Sequence, residues 1–432
     1  MGATNLGGRS GNANMAWSGH CAYIAGDGIA VVDVSDPTEP RQVRTLHGSG
    51  SDDSTEAISA VRTRDRAVLV AGRYGIPPTP LPVPVDIYDV SDCAHPVLLS
   101  TVTFPANVHN VTLSADGKRL FTTRPVQVAD LTDLHAPRYL GNIDDELATQ
   151  TTNRDLSHEA WPSPDGRRLY IGGTVGPLGT TFSVVDISGW PARPARLISE
   201  TSGPGHSIRQ ATIGKRRFVL HSNESVVDQG AKGCVPDRMN PVGGAAQPWL
   251  TDITDERRPH TVSTFRLAIN EPENCAAQVR SGVNASVHYH DVDDPRRTTF
   301  VLLSMWNAGL RVVDVRDPRT PREVAYFNPG LVPDGQNGDV LDQAWAHVRY
   351  IASTGHVWLS TATGGFWVLE LEPQVRRALG LPARDVRWPR GRPGHPADGA
   401  PPGGGKSVVA NDQRRERFYC TLGLTVPIPR PT

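Results

Sequence analysis

Short apolar stretches alternate with turn-forming residues along this chain, and six of them share one shape. "GIAVVDVSDPTEP", "PVDIYDVSDCAHP", "VQVADLTDLHAP", "FSVVDISGWPARP", "PWLTDITDERRP" and "GLRVVDVRDPRTP" each hold an apolar strand with one aspartate, followed by a turn closed with proline. The aspartates are Asp33, Asp89, Asp130, Asp186, Asp252 and Asp314; a seventh copy, "GGFWVLELEP", carries Glu370 in the acidic slot. An aspartate after alternating Val and Ile can fold its carboxylate onto the backbone N–H groups that follow, and proline then fixes φ at the turn. Ahead of these phrases lie strand pairs with tight turns, such as "SADGK" (Ser114–Lys118) and "SPDGR" (Ser163–Arg167). Each unit therefore reads strand a, short turn, strand b, connection, strand c with its acid, short turn, strand d.

Seven such units, with successive acids 41 to 66 residues apart, predict an all-β fold: a single seven-bladed β-propeller with four-stranded blades. The blades fall at about 12–47, 55–104, 107–142, 156–201, 205–266, 284–327 and 343–372, so the propeller spans 12–372. Blade 7 has no obvious fourth strand. Residues 373–432 read as a Pro/Gly/Arg-rich tail, and its last apolar stretch (Glu416–Pro427) is predicted to pack back on the ring and help close it. The repeated phrase resembles the LVIVD repeat, a propeller-forming motif, from about Asn12 to Glu372. The resemblance implies the fold and leaves activity open, because propellers carry many unrelated functions.

Alignment of the inner strand across blades brings out histidines. "VHNVTLSADG", "SHEAWPSPDG", "GHSIRQATIG", "VHYHDVDDP" and "AHVRYIASTG" place His109, His158, His206, His288 and His347 in one register. His288 fits it better than His290. Blade 1 offers Ala13 or Asn14 there, and blade 2 offers Glu56 nearby without a fixed register. Strand a lines the channel of a propeller, so equivalent positions form a ring about its axis. Imidazoles crowded at one height cannot all be protonated, and a shared metal ion relieves that crowding. The long b–c and d–a connections emerge on the face where strand a begins, which puts an elaborated rim over the ring. His221 and His290 lie close enough to support such a site. Glu159 and Asp291 adjoin ring histidines and are expected to brace them from outside the channel. Arg349 can share the channel face with His347. Trp161, Trp306, Trp345 and Trp358 are expected to pack between blades.

Composition narrows the choices. The chain has 432 residues with 38% hydrophobic and 21% charged, a formal net charge of -1 and 42 glycines with 37 prolines. That suits a globular protein of short strands and gives no bulk field for nucleic acid or anionic lipid. No membrane partner is expected. "PPGGGKS" lacks the first glycine of a phosphate loop, and no G-x-S-x-G, HExxH or CxxC occurs. The N-terminal residues carry no apolar run, and the five cysteines suggest free thiols in a cytoplasmic protein, with Cys234 and Cys275 the only pair considered. A secreted protein with its signal removed reads the same way.

Three functions stay open on these residues. In the first, the five histidines hold a transition metal, iron or copper before zinc or manganese, in an oxidoreductase acting on a small organic molecule, with His206 and Arg349 as catalytic groups. Carotenoid-cleaving oxygenases and the selenium-binding protein family show axial histidines in the same architecture, though none of their local motifs occurs here. In the second, the ring works without metal as the acid–base site of a lyase or cyclase. In the third, the histidines merely bond neighbouring blades and the rim binds a partner. The sequence assigns no oligomeric state.

Overall fold

The computed structural model describes residues 2–8, 11–74, 80–150, 157–173, 181–202, 205–222, 248–265, 267–271, 286–306, 308–334, 338–382 and 409–410. Seven antiparallel blades follow one another around an axis, each in the order a-b-c-d. Strands a are Asn14–Ser18, Ile58–Arg62, Val111–Leu113, Ser157–Pro162, Ser207–Ile213, Tyr289–Val292 and Arg349–Ile351, each beside the next at the centre. The predicted seven-bladed propeller is therefore the fold observed.

Local chemistry explains each repeat. In all six Asp copies, the carboxylate accepts a hydrogen bond from the backbone N–H two residues on. Ser35 donates to Asp33 at 2.8 Å, Ser91 to Asp89 at 2.8 Å and Thr132 to Asp130 at 2.8 Å. Ser188 donates to Asp186 at 3.0 Å, Thr254 to Asp252 at 2.6 Å and Arg316 to Asp314 at 3.0 Å. This turn ends strand c and sends the chain back as strand d. Alternate residues of the b and c strands then fill seven apolar layers, one between each pair of adjacent blades. Leu69 and Val31 lie in the layer between blades 1 and 2, for example, and Phe366 and Ile24 in the layer between 7 and 1. Burying one such side chain contributes about 1.5–3 kcal/mol, so the seven layers together hold the ring.

Two features depart from the sequence reading. The fourth strand of blade 7 comes from the N-terminus: Gly2–Thr4 pairs antiparallel with Gly365–Glu370, Ala3 opposite Trp367. The ring thus begins at residue 2 and closes by joining its two ends in one sheet. Gly2 permits this approach, because a Cβ there would lie 2.6 Å from the Pro37 carbonyl. The stretch Glu416–Pro427, expected to close the ring, lies outside the described residues; Val409–Ala410 pairs with strand d of blade 6. The second departure is a Cys21–Cys93 disulfide linking strand b of blade 1 to the c–d turn of blade 2, in place of free thiols. Cys234 and Cys275 lie outside the described residues. No helix among the described residues is long and apolar enough to cross a membrane.

Candidate metal centre

Sheet pairing sets the height of each inner-strand residue. Level across from the strand-b residue that faces the position two before the repeat acid stand Ala16, Ser59, Thr112, Trp161, Arg209, Asp291 and Arg349. Three residues before these come Ala13, Glu56, His109, His158, His206, His288 and Ala346. Four of the five expected histidines therefore share one position with Glu56. His347 sits one residue later, and Ala346 holds its expected place.

The upper ring converges on Glu56. Its Oε2 lies 3.3 Å from His109 Nε2 and 3.5 Å from His158 Nε2, and its Oε1 lies 3.6 Å from His288 Nε2. His206 completes the set, its ring centroid 3.6 Å from that of His158 and 5.1 Å from that of His288. Glu56, His109 and His158 each present a ligand atom within 4.8 Å of the others. All five side chains are buried. Tyr289 donates its hydroxyl to Glu56 Oε2 at 2.8 Å and accepts from Asn110 Nδ2 at 3.1 Å. His288 Nδ1 lies 2.5 Å from the Trp345 carbonyl. A carbonyl only accepts, so Nδ1 carries a proton and the ring is held with Nε2 toward the carboxylate.

Burial disfavours the charged forms of His109 and His158. It lowers the pKa of His109 to about 4, against the pull of Glu56. It holds His158 well below the ordinary imidazole value, and the charges of His206 and His109 add to that. Burial also pushes Glu56 up, but the His288 contact and the fields of His109 and His288 outweigh it and keep the carboxyl well below its usual range. The result is an ionised Glu56 carboxylate crowded against the imidazoles of His109, His158 and His288 in a buried interior. No ring nitrogen of His109 makes a hydrogen bond, nor does His158 Nδ1. Buried polar atoms without a hydrogen-bond partner are costly, and a cation among these donors would offset that cost. Donor atoms about 2.0–2.2 Å from one tetrahedral ion sit roughly 3.3–3.6 Å apart, and the three Glu56–imidazole distances fall in that range.

A second polar layer lies beneath. His347 turns its Nε2 to Glu159 Oε1 at 3.3 Å, while its Nδ1 faces Arg209 Nη2 at 2.8 Å. Its ring rests on Tyr289, with centroids 4.1 Å apart. Arg209 lies 3.4 Å from Asp291 and 3.6 Å from Glu159, with its guanidinium 3.5 Å over Trp161. Arg349 pairs with Asp291 at 3.3 Å and covers Trp17. Arg349 and His347 thus belong to an ion-paired floor rather than to the imidazole ring. Glu159 and Asp291 are not turned outward as expected, because radial blades meet the axis edge-on and both faces of strand a reach it.

Other side chains settle elsewhere. His221 Nε2 meets Thr251 Oγ1 at 2.7 Å, and His290 lies between Ser222 Oγ and the Leu220 carbonyl. Both are buried within blades. Trp358 packs between blades 7 and 1 as expected, but Trp306 and Trp345 stand against His288, at 5.0 and 5.9 Å between centroids. Trp306 has φ 42°, a left-handed conformation that costs a bulky residue about 1–2 kcal/mol. His20, Cys21 and Cys93 also cluster, but their sulfurs are bonded to each other and offer no thiolate.

Comparison with known proteins agrees on architecture. The LVIVD repeat family matches residues 10–46. Fold and match fit an LVIVD-repeat propeller. Among solved structures, Kuenenia stuttgartiensis hydrazine synthase superposes with TM-score 0.51 at 13% identity, over 84% of this chain and 96% of that one. Pseudomonas aeruginosa periplasmic gluconolactonase gives TM-score 0.52 at 14% identity, over 81% of this chain and 90% of that one. These similarities carry the propeller fold alone. No curated protein sequence matches the chain.

Proposed function

We propose that this propeller is a metal-dependent enzyme, an oxidoreductase acting on a small organic molecule at the upper axial ring. One observation carries the reading: a single buried carboxylate with three imidazole nitrogens 3.3–3.6 Å from its oxygens. His109, His158, His206, His288 and Glu56 would hold the ion. Imidazole with one carboxylate suits iron best, then copper, zinc or manganese, and such an ion supplies Lewis-acid and one-electron chemistry. Tyr289 and the Trp345 carbonyl orient two of the ligands. Arg349, in the polar layer beneath, orders that floor through Asp291.

The donor chemistry weighs against a metal-free acid–base ring. A His109 with a pKa near 4 is a weak base at neutral pH. The Cys21–Cys93 disulfide favours an oxidising compartment over the cytoplasm. Elemental analysis of protein purified without chelator, paired with oxygen-uptake assays on small organic substrates, tests the reading. It predicts about one transition-metal ion per chain and metal-dependent turnover. Protein that is active with no bound metal overturns it.

A further inference from the structure

The upper ring is not a full circle. Five consecutive blades carry Glu56, His109, His158, His206 and His288, and the two remaining blades, 7 and 1, carry Ala346 and Ala13 at the same position. A methyl group cannot reach the axis, so the donors surround the centre on one side and leave the other without one. An enzymatic metal site needs such an open position for substrate.

The residues beside this gap are aromatic. Trp345 precedes Ala346 and bridges blades 7 and 1 by donating its indole N–H to the Asn12 carbonyl at 2.7 Å. Trp306, from the b–c connection of blade 6, meets the Trp345 ring at 5.1 Å and 63°, and both rings contact His288. Trp306 holds this place in a backbone conformation that favours glycine. Its main chain is fixed there by the bridge to Ala344, whose N–H donates to the Trp306 carbonyl at 2.8 Å. Strain retained by a large aromatic side chain next to a candidate site points to a role at that site.

The geometry points to a substrate subsite on the blade 7–blade 1 side of the ring, walled by Trp306 and Trp345 and shaped for a small, uncharged aromatic molecule. This rests on the proposed axial site and adds its direction of approach and substrate class. Indole faces and edges receive flat rings by stacking and edge contacts, a gain that a saturated ring of the same size does not share. Arg209 and Arg349 are taken up in ion pairs with Glu159 and Asp291, so neither is left over to select an anion.

Calorimetric titration of the full chain with phenol and with cyclohexanol tests this, with metal content measured on the same samples. The expected result is phenol binding at least fivefold tighter than cyclohexanol. Trp306→Leu should weaken phenol about tenfold and leave metal content unchanged. Ala13→Met, which extends a side chain into the gap, should do the same. Equal affinity for the two probes, no phenol binding at millimolar concentration, or Trp306→Leu and Ala13→Met that both bind phenol like the parent would overturn the subsite. Metal-free protein that still prefers phenol would keep the subsite and reject the metal reading, so the two fail separately.

Discussion

The two polar layers on the axis are built from similar residue types and end in opposite states. In the lower one, Glu159 and Asp291 are matched by Arg209 and Arg349, and His347 finds a partner at each ring nitrogen. In the upper one, the Glu56 carboxylate faces the imidazoles of His109, His158 and His288, burial lowers the pKa of His109 to about 4, and Tyr289 and the Trp345 carbonyl orient Glu56 and His288. Equal burial therefore does not mean equal purpose. In the lower layer the acids face guanidinium groups and the ion pairs hold blades together, whereas in the upper layer both ring nitrogens of His109 and Nδ1 of His158 have no hydrogen-bond partner, which is where the proposed cation would be accommodated.

Substitutions that treat the layers alike should separate them. The largest effect is expected from His109→Ala combined with His158→Ala: metal affinity falls about a thousandfold or more, ~4 kcal/mol, while circular dichroism and melting of the metal-free protein change little. Retention of metal by this variant would erase the distinction. Arg209→Ala should act in the reverse sense. It strands buried Glu159 and Asp291 and costs about 3 kcal/mol of stability, read by denaturant titration, while folded protein keeps its metal. Tyr289→Phe, at the boundary, removes only the hydroxyl on Glu56. It should weaken metal binding about tenfold with little change in unfolding.

The smallest effect lies outside the axis, at the repeat acids. The backbone N–H of Ser188, with help from Arg168, lowers the pKa of Asp186 to about 2. A carboxyl depressed when folded contributes above its unfolded value near 4 and loses that contribution as pH falls through about 2. Solvent screens this partly exposed group, so Asp186→Ala should cost about 1 kcal/mol or less at neutral pH. The difference from the parent should vanish near pH 2, as acid melting curves will show.

What the sequence disclosed follows from how local each interaction is. The Asx turn after Asp33 or Asp130 involves a residue and its neighbour two on, so the phrase is visible in a string of letters, and seven phrases give the blade number. Histidines at equivalent positions were visible for the same reason. Residue type then misled at both ends of the ring. His347 matches in kind but sits one place late, and Glu56 sits in register but differs in kind. Turn length gives no guide here: Val70 lies fourteen residues after Glu56, whereas Phe121 lies twelve after His109, though both face the residue two before a repeat acid. Only the pairing of strands a and b fixes the height. The closing strand Gly2–Thr4 and the Cys21–Cys93 bond, across 72 residues, are set by which blades adjoin, and three or fewer residues leave no pattern to read.

The central claim is that a cation belongs among Glu56, His109, His158, His206 and His288. Anomalous diffraction from crystals grown without chelator, collected across the iron and copper absorption edges, tests it most directly. The account predicts one strong peak on the axis, about 2.1 Å from Glu56 Oε2 and from the Nε2 atoms of His109 and His158. Ordered water at that point, or imidazoles bonded to one another with no peak at any edge, would contradict it.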